Sequence, residues 1–245
     1  MSENSVVYRR VLLKLSGEAL MGKAKFGIEP QAISSIVPEL VKIVRLGVQL
    51  GVVIGGGNIF RGVNLQASGI NRVSADHIGM LATVINGLAI QDILQKAGIE
   101  TRVMSAISIN AICENYTQQC ALSHLEKGRV LIFVAGMGNP FFTTDSAASL
   151  RAIEIGADLM IKATKVDGVY AQDPLHNPNA KRFSRLSYNE LVEQRLGVMD
   201  TTAVVLCRDN KVPLRVLNMD KAGALTRAIA GSDEGTLIYS EEDVK

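Results

Sequence analysis

Two segments in the N-terminal part of this sequence combine glycine with cationic side chains, a combination suited to phosphate. Lys14 ends an apolar run and is followed by Ser16 and Gly17, so an ammonium group and backbone N–H groups could face an anion. Residues 55–57 are consecutive glycines, which let the backbone approach a ligand closely, and Arg61 follows them with a planar guanidinium. Each segment alone also fits an ordinary turn, but together they predict charge stabilisation rather than covalent catalysis.

Two later segments offer further groups of the same kind. Residues 136–145 contain glycines and a proline, with Phe141 and Phe142 as a flat apolar wall; inward packing of both rings is the alternative. Two threonines follow that could donate to an anion or cap a helix beginning near Asp145. Residues 162–170 hold two lysines, a tyrosine and an Asp-Gly pair, which is itself typical of a structural turn. All of these segments would suit ligands that carry phosphate.

The elements that must position these segments follow from hydrophobic periodicity. Short β-branched runs alternate with stretches whose apolar residues recur at helical spacing, which predicts alternating strands and helices. This alternation indicates one α/β domain over residues 1–245, a three-layer α/β/α sandwich with a mostly parallel central sheet. Ligands of such sheets lie beyond the carboxyl ends of the strands, where the phosphate-binding segments fall. The predicted strands are residues 11–15, 52–54, 103–107, 130–134, 159–163, 214–217 and 236–239.

Helix boundaries are predicted from capping residues. Pro30 fits the start of one helix, and Gly98 fits the end of the next apolar stripe. Ser187 with Glu190 fits a capping box. Asp200 fits the N-cap of a later helix.

Composition and charge exclude several classes of protein. Apolar residues make up 47% of the chain and the formal net charge is +2, so neither disorder nor binding to nucleic acid or an anionic membrane is expected. No signal peptide and no transmembrane helix are expected, and the cysteines and histidines show no spacing typical of metal ligands. Residues 17–24 nearly fit a P-loop, but Ala24 stands where that motif needs a hydroxyl group.

These segments together resemble a known family. The stretches that carry the likeness are residues 13–18, 53–58, 138–145 and 162–169, with Arg61-Gly62, Asp76-His77 and Gly79-Met80. They resemble bacterial uridylate kinases, within the amino acid kinase superfamily, and the likeness extends from Tyr8 to Ile238. Residues 13–18, 53–58 and 162–169 are shared loosely across the superfamily, whereas the Gly-Asn-Pro-Phe-Phe-Thr-Thr-Asp run at residues 138–145 is much more specific to uridylate kinases.

The resemblance implies transfer of the terminal phosphoryl group of ATP to UMP in pyrimidine nucleotide synthesis. By matching position, Lys14 and Arg61 would stabilise charge on the moving group, and Asp145 would organise the cations around it. The N-terminal part would mainly hold UMP and phosphate, and the C-terminal part mainly ATP. The residues implied to bind ATP are Lys14, Leu15, Ser16, Gly17, Gly57, Arg61, Thr164, Tyr170 and Asp173. The residues implied to bind UMP are Gly56, Asp76, Met137, Gly138, Asn139, Pro140, Phe141, Phe142, Thr143 and Thr144.

The resemblance also implies a cofactor, an assembly and a form of regulation. Mg²⁺ would accompany ATP, and such kinases are cytoplasmic hexamers, in many of which GTP activates and UTP inhibits. Met137 stands where relatives often carry threonine, and Asp200 matches a polar position associated with function, without a role that the sequence defines. The segment that matches the region of GTP control comprises Gly22, Lys23, Ala24, Lys25, Phe26 and Gly27.

Two alternatives remain open from the sequence. A kinase of the same superfamily acting on a carboxylate or carbamate would keep Lys14 and the glycine run but lack the pattern of residues 141–144. A non-catalytic nucleotide- or oxyanion-binding protein would bind ATP without transfer. The presence of Lys14, Arg61 and Asp145 together argues against the second alternative.

Overall fold

The strands of this computed structural model, which describes residues 6–60, 69–172, 176–177 and 179–241, form one sheet. They are β1 (Arg10–Leu15), β2 (Gln49–Ile54), β3 (Thr101–Ser105), β4 (Glu114–Asn115), β5 (Val130–Val134), β6 (Leu159–Thr164), β7 (Arg185–Ser187), β8 (Leu214–Asn218) and β9 (Thr236–Tyr239). Their spatial order is β4-β3-β5-β2-β1-β6-β8-β9-β7. Every neighbouring pair is parallel except β8 and β9, which are antiparallel.

Helices cover both faces of this sheet. They are α1 (Pro30–Arg45), α2 (Arg72–Lys96), α3 (Gln118–Glu126), α4 (Thr144–Glu154), α5 (Tyr188–Glu193), α6 (Thr201–Asp209) and α7 (Ala224–Ile229). Residues of α1, α2 and α7 belong to one apolar cluster, whereas residues of α3 to α6 belong to a second cluster on the opposite face. The predicted α/β/α sandwich is therefore confirmed.

Side chains of the central strand β1 alternate between these two clusters, as the pleat of a strand requires. Val11, Leu13 and Leu15 belong to the cluster of α1, α2 and α7, whereas Leu12 belongs to the cluster of α3 to α6. Lys14 lies on the same side of the strand as Leu12. The sequence of β1 therefore directs a single lysine toward the layer that contains α4.

The predicted strands are all observed, with differences at their ends. The strand predicted for residues 103–107 is wrong in its last part, because β3 ends at Ser105 and the N–H group of Ile107 turns back to the Ser105 hydroxyl, 3.3 Å away. The short strands β4 and β7 were not predicted. They contain too few residues for a hydrophobic period, so only pairing with a neighbouring strand defines them.

The predicted helix boundaries are confirmed. Pro30 is the first residue of α1, and Gly98 follows α2. Ser187 Oγ accepts from the N–H group of Glu190 at 3.1 Å, while the Glu190 carboxylate accepts from the N–H group of Ser187 at 2.7 Å, which completes the capping box. Asp200 caps α6 by accepting from the N–H group of Ala203 at 3.0 Å.

Among the described residues, α2 is long and apolar enough by length and composition to span a membrane. Two polar side chains of this helix are instead used inside the protein. Thr83 Oγ1 accepts from the N–H group of Ala135 at 2.7 Å, and Asn86 Nδ2 donates to the carbonyl of Gly55 at 2.7 Å. We therefore interpret α2 as a core helix.

Candidate active site

Three charged side chains form the centre of the candidate site. Lys14 Nζ lies 2.9 Å from Oδ1 of Asp145, and Lys162 Nζ donates to Oδ2 of the same carboxylate at 2.6 Å. The side chains are 13–15% exposed. One carboxylate faces two ammonium groups, so the cluster keeps an excess positive charge that suits a bound anion.

The sheet register and a helix start bring these three groups together. Lys14 and Lys162 are direct partners in the parallel pairing of β1 and β6, and both lie on the side of the sheet that faces α4. Asp145 is in the first turn of α4, where the helix macrodipole favours a negative charge. Thr143 is the N-cap of that helix, and its hydroxyl accepts from the N–H groups of Asp145 and Ser146 at 3.1 and 3.2 Å.

Burial and charge act on the pKa values of this cluster in opposite directions. Burial by itself raises the pKa of Asp145, but the ammonium groups of Lys14 and Lys162 outweigh it and hold the pKa below its ordinary value of 3.8. Burial lowers the pKa of Lys162 below its ordinary value, although Asp145 opposes that shift. Asp145 is therefore a charged acceptor that orients two cations, and nothing in its setting makes it a base.

Asp200 joins the start of α4 to the start of α6. Its carboxylate caps α6 and also accepts from the hydroxyls of Thr143 and Ser146, the latter at 3.0 and 3.1 Å. Close by, Lys162 Nζ donates to the carbonyl of Val198 at 2.6 Å. The sequence identifies Asp200 as a helix cap without defining a functional role for it, and the structure places it beside the ion cluster.

The glycine turn after β2 lies against the segment that follows Lys14. The N–H group of Gly55 donates to the carbonyl of Leu15 at 3.0 Å. A Cβ atom added at Gly17 would lie 2.6 Å from the carbonyl oxygen of Gly55, and one added at Gly55 would lie 3.6 Å from Thr144 Oγ1. Three of the predicted phosphate-binding segments therefore meet at one edge of the sheet.

A cavity of about 300 Å³ opens on the α2 side of this edge. Phe142 is 45% exposed, and Phe141 is 66% exposed, so the alternative that both rings pack inward is wrong. Gly138 packs instead against the carbonyl of Ala106, from which an added Cβ would be 2.9 Å away. Seven residues that the resemblance assigns to UMP line the cavity, together with Gly57, which was assigned to ATP: Gly56, Asp76, Met137, Asn139, Phe142, Thr143 and Thr144.

Asp76 fixes the loop at the mouth of this cavity. Its Oδ2 accepts from the N–H group of Phe141 at 2.7 Å and from Arg72 Nε at 2.8 Å. The Arg72 guanidinium lies 5.6 Å from the centre of the Phe141 ring. Phe141 has a φ of 74°, a left-handed conformation that costs energy for a residue with a Cβ, so these contacts hold the loop in place.

Two further spaces adjoin Thr164 on the other side of Lys14. A groove of about 960 Å³ is lined by Lys14, Leu15, Ser16 and Thr164, and it reaches α1. A space of about 360 Å³ adjoins Thr164 and Tyr170. The C-terminal residues assigned to ATP, as far as the structure describes them, thus lie apart from those assigned to UMP, with Lys14 between the two sets.

The Asp167 carboxylate stabilises the loop that contains Tyr170 by accepting two hydrogen bonds. The Tyr170 hydroxyl donates to Asp167, and Lys221 Nζ donates to the same carboxylate at 2.8 Å. Hydrogen bonds from Lys221 and Tyr170 lower the pKa of Asp167, and the bond to Asp167 raises the pKa of Tyr170. Asp167 therefore has a structural role, as the turn interpretation allowed.

Two assigned residues, Arg61 and Asp173, lie outside the described residues. The segment assigned to GTP control, residues 22–27, is described and forms turns between β1 and α1. Phe26 is 69% exposed in this segment, and the N–H group of Gly27 donates to the carbonyl of Asn58 at 2.8 Å.

Sequence reasoning missed two residues at the site. The sequence shows Lys162 only as one of two lysines at a strand end, because its contact with Asp145 depends on the register of β1 and β6. Arg72 is absent from the residues predicted for the site, although its spacing of four residues from Asp76 on a helix is a signal for this ion pair.

A cluster of potential metal-ligand side chains lies outside this site, at the β4 edge of the sheet. Ligand atoms of Glu114, Cys120 and His124 lie within 4.8 Å of one another, although the spacing of these residues in the sequence is not typical of metal ligands. Arg129 can only donate, so Nδ1 of His124 accepts from it at 3.1 Å and Nε2–H donates to Glu114 at 2.8 Å. Both ring nitrogens are thus engaged in a hydrogen-bonded chain.

Comparison with known proteins agrees with this architecture. The model of the amino acid kinase family matches residues 9–218. The chain belongs to the amino acid kinase family. Within this family, a uridylate kinase of Methylococcus capsulatus is 60% identical over 234 residues, which cover 96% of this chain and 98% of the relative. A uridylate kinase of Pseudomonas aeruginosa is 58% identical over 231 residues, covering 94% of each chain.

Solved structures of family members share the fold over nearly the whole chain. A UMP kinase from Bacillus anthracis superposes with a TM-score of 0.93 at 43% identity, covering 96% of this chain and 97% of that one. A UMP kinase from Ureaplasma parvum gives a TM-score of 0.90 at 36% identity, covering 95% and 99%. The resemblance to uridylate kinases inferred from the sequence motifs is therefore confirmed.

Proposed function

We propose that this chain transfers the terminal phosphoryl group of ATP to UMP and forms UDP, the precursor of CTP in pyrimidine nucleotide synthesis. The observation that carries this function is the Lys14–Asp145–Lys162 cluster, which lies between the cavity bounded by Asp76 and the groove bounded by Thr164. The names of the uridylate kinases that match the chain over nearly its full length support the same substrates.

In this proposal the protein aligns two phosphate chains and stabilises charge, and it forms no covalent intermediate. UMP lies in the cavity beside Asp76 and residues 137–144, and ATP lies along residues 14–17, Thr164 and Tyr170. An oxygen of the UMP phosphate attacks the γ-phosphorus in line while the bond to the β-phosphate oxygen breaks. Phosphate needs no general base for this attack, which agrees with an Asp145 that is already held between cations.

Each side chain of the cluster has a distinct task in this mechanism. Lys14 Nζ stabilises the negative charge on the moving group and on the leaving oxygen. Lys162 holds the other oxygen of Asp145, and Asp145 keeps both ammonium groups pointed toward the crevice. Arg61, assigned by resemblance alone, would add a further cation to the phosphates.

Mg²⁺ would reach the site with ATP rather than bind a cage of protein ligands. Both oxygens of Asp145 already contact ammonium groups, so this carboxylate is better suited to the waters of a metal ion than to direct coordination. The ion would neutralise charge on the β- and γ-phosphates.

The two alternative functions are less well supported. A kinase acting on a carboxylate or carbamate has no need for the aromatic and hydroxyl residues 141–144 at the acceptor cavity. A protein that only binds nucleotide does not need two largely buried lysines that share one carboxylate at the junction of two ligand spaces. Both alternatives also disagree with the function named for the matching uridylate kinases.

Self-association and regulation are part of the proposal. The face of α2 that exposes Ile78, Leu81 and Ile85, which are 37%, 48% and 48% exposed, would pack against a second copy within a homo-hexamer. GTP would activate through residues 22–27, which contact Asn58 beside the glycine turn, and UTP would inhibit. The enzyme would work in the cytoplasm as a single domain.

The test is a steady-state assay with ATP and Mg²⁺ against UMP, CMP, aspartate, acetylglutamate and carbamate. The expected result is UDP formation with UMP alone or with strong preference for it. Turnover of a carboxylate or carbamate without UMP would reject the acceptor, and ATP binding without any transfer would reject the enzyme. Light scattering of wild type and Leu81→Glu, with Lys96→Glu on the same helix as control, tests the assembly.

A further inference from the structure

Two buried asparagine side chains lie behind the glycine turn and form a reciprocal pair. Asn58 is 1% exposed and Asn86 is fully buried. Asn58 Nδ2 donates to Oδ1 of Asn86 at 3.0 Å, and Asn86 Nδ2 donates to Oδ1 of Asn58 at 2.7 Å. This pair joins the loop after β2 to the middle of α2.

The second N–H group of each amide holds a backbone carbonyl. Asn86 Nδ2 donates to the carbonyl of Gly55 at 2.7 Å, and Asn58 Nδ2 donates to the carbonyl of Gly27 at 2.9 Å. All four amide N–H groups are therefore used, and both side-chain oxygens accept. A buried polar network is tolerated when it is fully satisfied, and it then specifies one arrangement of the groups it joins.

Glycines need such an external anchor, because they have no side chain to restrict their backbone angles. A planar trans peptide points its carbonyl and its N–H group in opposite directions. The carbonyl of Gly55 and the N–H group of Gly56 belong to one peptide, so a bond that holds this carbonyl toward α2 also fixes the direction of that N–H group. Asn86 thereby sets the orientation of an anion-binding donor that it does not touch.

We propose that Asn86 is a positioning residue for phosphate binding, which acts through the Gly55–Gly56 peptide, and that Asn58 links the same peptide to residues 22–27. This inference rests on the proposed kinase function for its catalytic consequence. Neither side chain has an amide N–H group left to donate to a nucleotide, since all four already donate to protein oxygens. Both asparagines would therefore act on phosphate binding only through the backbone that they hold.

The decisive variant is Asn86→Asp, which keeps the size of the side chain and removes its donors. The new oxygen would face the carbonyl of Gly55 and repel it. Gln91→Glu is the matched control, because Gln91 also lies on α2 and donates through its amide to a backbone carbonyl, that of Thr101 at 3.1 Å, away from the site. Asn86→Leu, of similar volume and without charge, serves if the first variant does not fold.

Three measurements on the full-length protein decide the question: kcat and KM for ATP and UMP, the thermal midpoint, and hydrogen exchange of the peptide covering residues 55–60. We expect Asn86→Asp or Asn86→Leu to lose about 100-fold in kcat/KM, as a small misplacement of catalytic geometry does. Exchange in residues 55–60 should accelerate. Gln91→Glu should lower the thermal midpoint without either effect.

The outcomes separate this inference from the proposed function. If wild type phosphorylates UMP while both Asn86 variants match Gln91→Glu in kcat/KM and in exchange, the positioning role is overturned. If wild type phosphorylates nothing, the kinase function fails, and the exchange of residues 55–60 still decides whether Asn86 holds the turn. A loss of activity with unchanged exchange would also overturn the inference, because the turn would then be held by other contacts.

Discussion

Lys14 and Lys162 stand directly opposite each other on neighbouring parallel strands, and their ammonium groups share the carboxylate of Asp145. Like charges in such a pair repel each other, so this arrangement reduces stability unless an anion compensates for it. Asp145 supplies one negative charge, and a phosphorylated ligand would supply the rest. The repulsion between the two ammonium groups therefore lies at the place where a bound anion would reduce it.

Lys14→Ala should lower kcat by about 100-fold or more and change the Kd of ATP much less, because the ammonium group acts on charge that develops during transfer. Initial rates and equilibrium binding of ATP measure the two effects. Lys96→Ala is the control, since Lys96 is 73% exposed and pairs with Asp92 at the surface of α2, away from the site. An unchanged kcat in Lys14→Ala would remove this residue from the mechanism.

Asp145→Asn should remove a pH-dependent part of the stability. The pKa of Asp145 is held below 3.8 in the folded protein, so the stabilising charge is present above the unfolded pKa and is lost as the pH falls through the folded value. The difference in free energy of unfolding between wild type and Asp145→Asn should thus have its full value above about pH 5 and decrease below about pH 4. Urea unfolding at a series of pH values measures it.

The control for this titration is Asp92→Asn, because Asp92 is 60% exposed and pairs with Lys96 at the surface of α2. Exposed pairs of this kind contribute about 0.5 kcal/mol or less. A difference between wild type and Asp145→Asn that stays constant from pH 3 to pH 7, or equals that of the control, would contradict the charged state assigned to Asp145.

Asp76→Asn should raise the KM for UMP by about tenfold, or ~1.4 kcal/mol, and leave the KM for ATP nearly unchanged. The substitution weakens the bond to the N–H group of Phe141 and the pairing with Arg72, both of which hold the acceptor loop. Arg72→Gln should act in the same direction. Lys96→Gln, which removes the other four-residue ion pair on α2, is the control; a defect confined to ATP would refute the placement of Asp76.

Gly17→Ala should destabilise the fold by about 1–3 kcal/mol, because a Cβ there would overlap the Gly55 carbonyl and the Asn58 side chain. Gly57→Ala should change the free energy of unfolding by less than about 0.5 kcal/mol, since an added Cβ would have no atom of the described residues within 4 Å apart from its own chain neighbours. The sequence alone gives no reason to expect different effects at these two glycines. The measurement is urea unfolding of the two variants, and equal shifts of their midpoints would contradict the predicted difference in packing.

Much of the fold could be predicted from local pattern. The runs that became β5 and β9 were assigned to the residue, and Asp200 was identified as a helix cap, because apolar period and capping chemistry act over a few neighbouring residues. β4 was missed because two residues carry no period; only its pairing with β3 makes it a strand. Short strands at a sheet edge are defined by their partner rather than by their own composition.

The sequence by itself determined that Lys14 lies near the end of a strand, that glycines follow two strands, and that a helix begins near Asp145, since each depends on residues close in the chain. Only the tertiary structure decided that Lys14 faces Lys162 across β1 and β6, that Asp145 bridges them, and that Asn86 reaches back to the carbonyl of Gly55. These contacts join residues far apart in the chain. Strand register and helix placement fix them, and both result from packing of the whole core rather than from any local pattern.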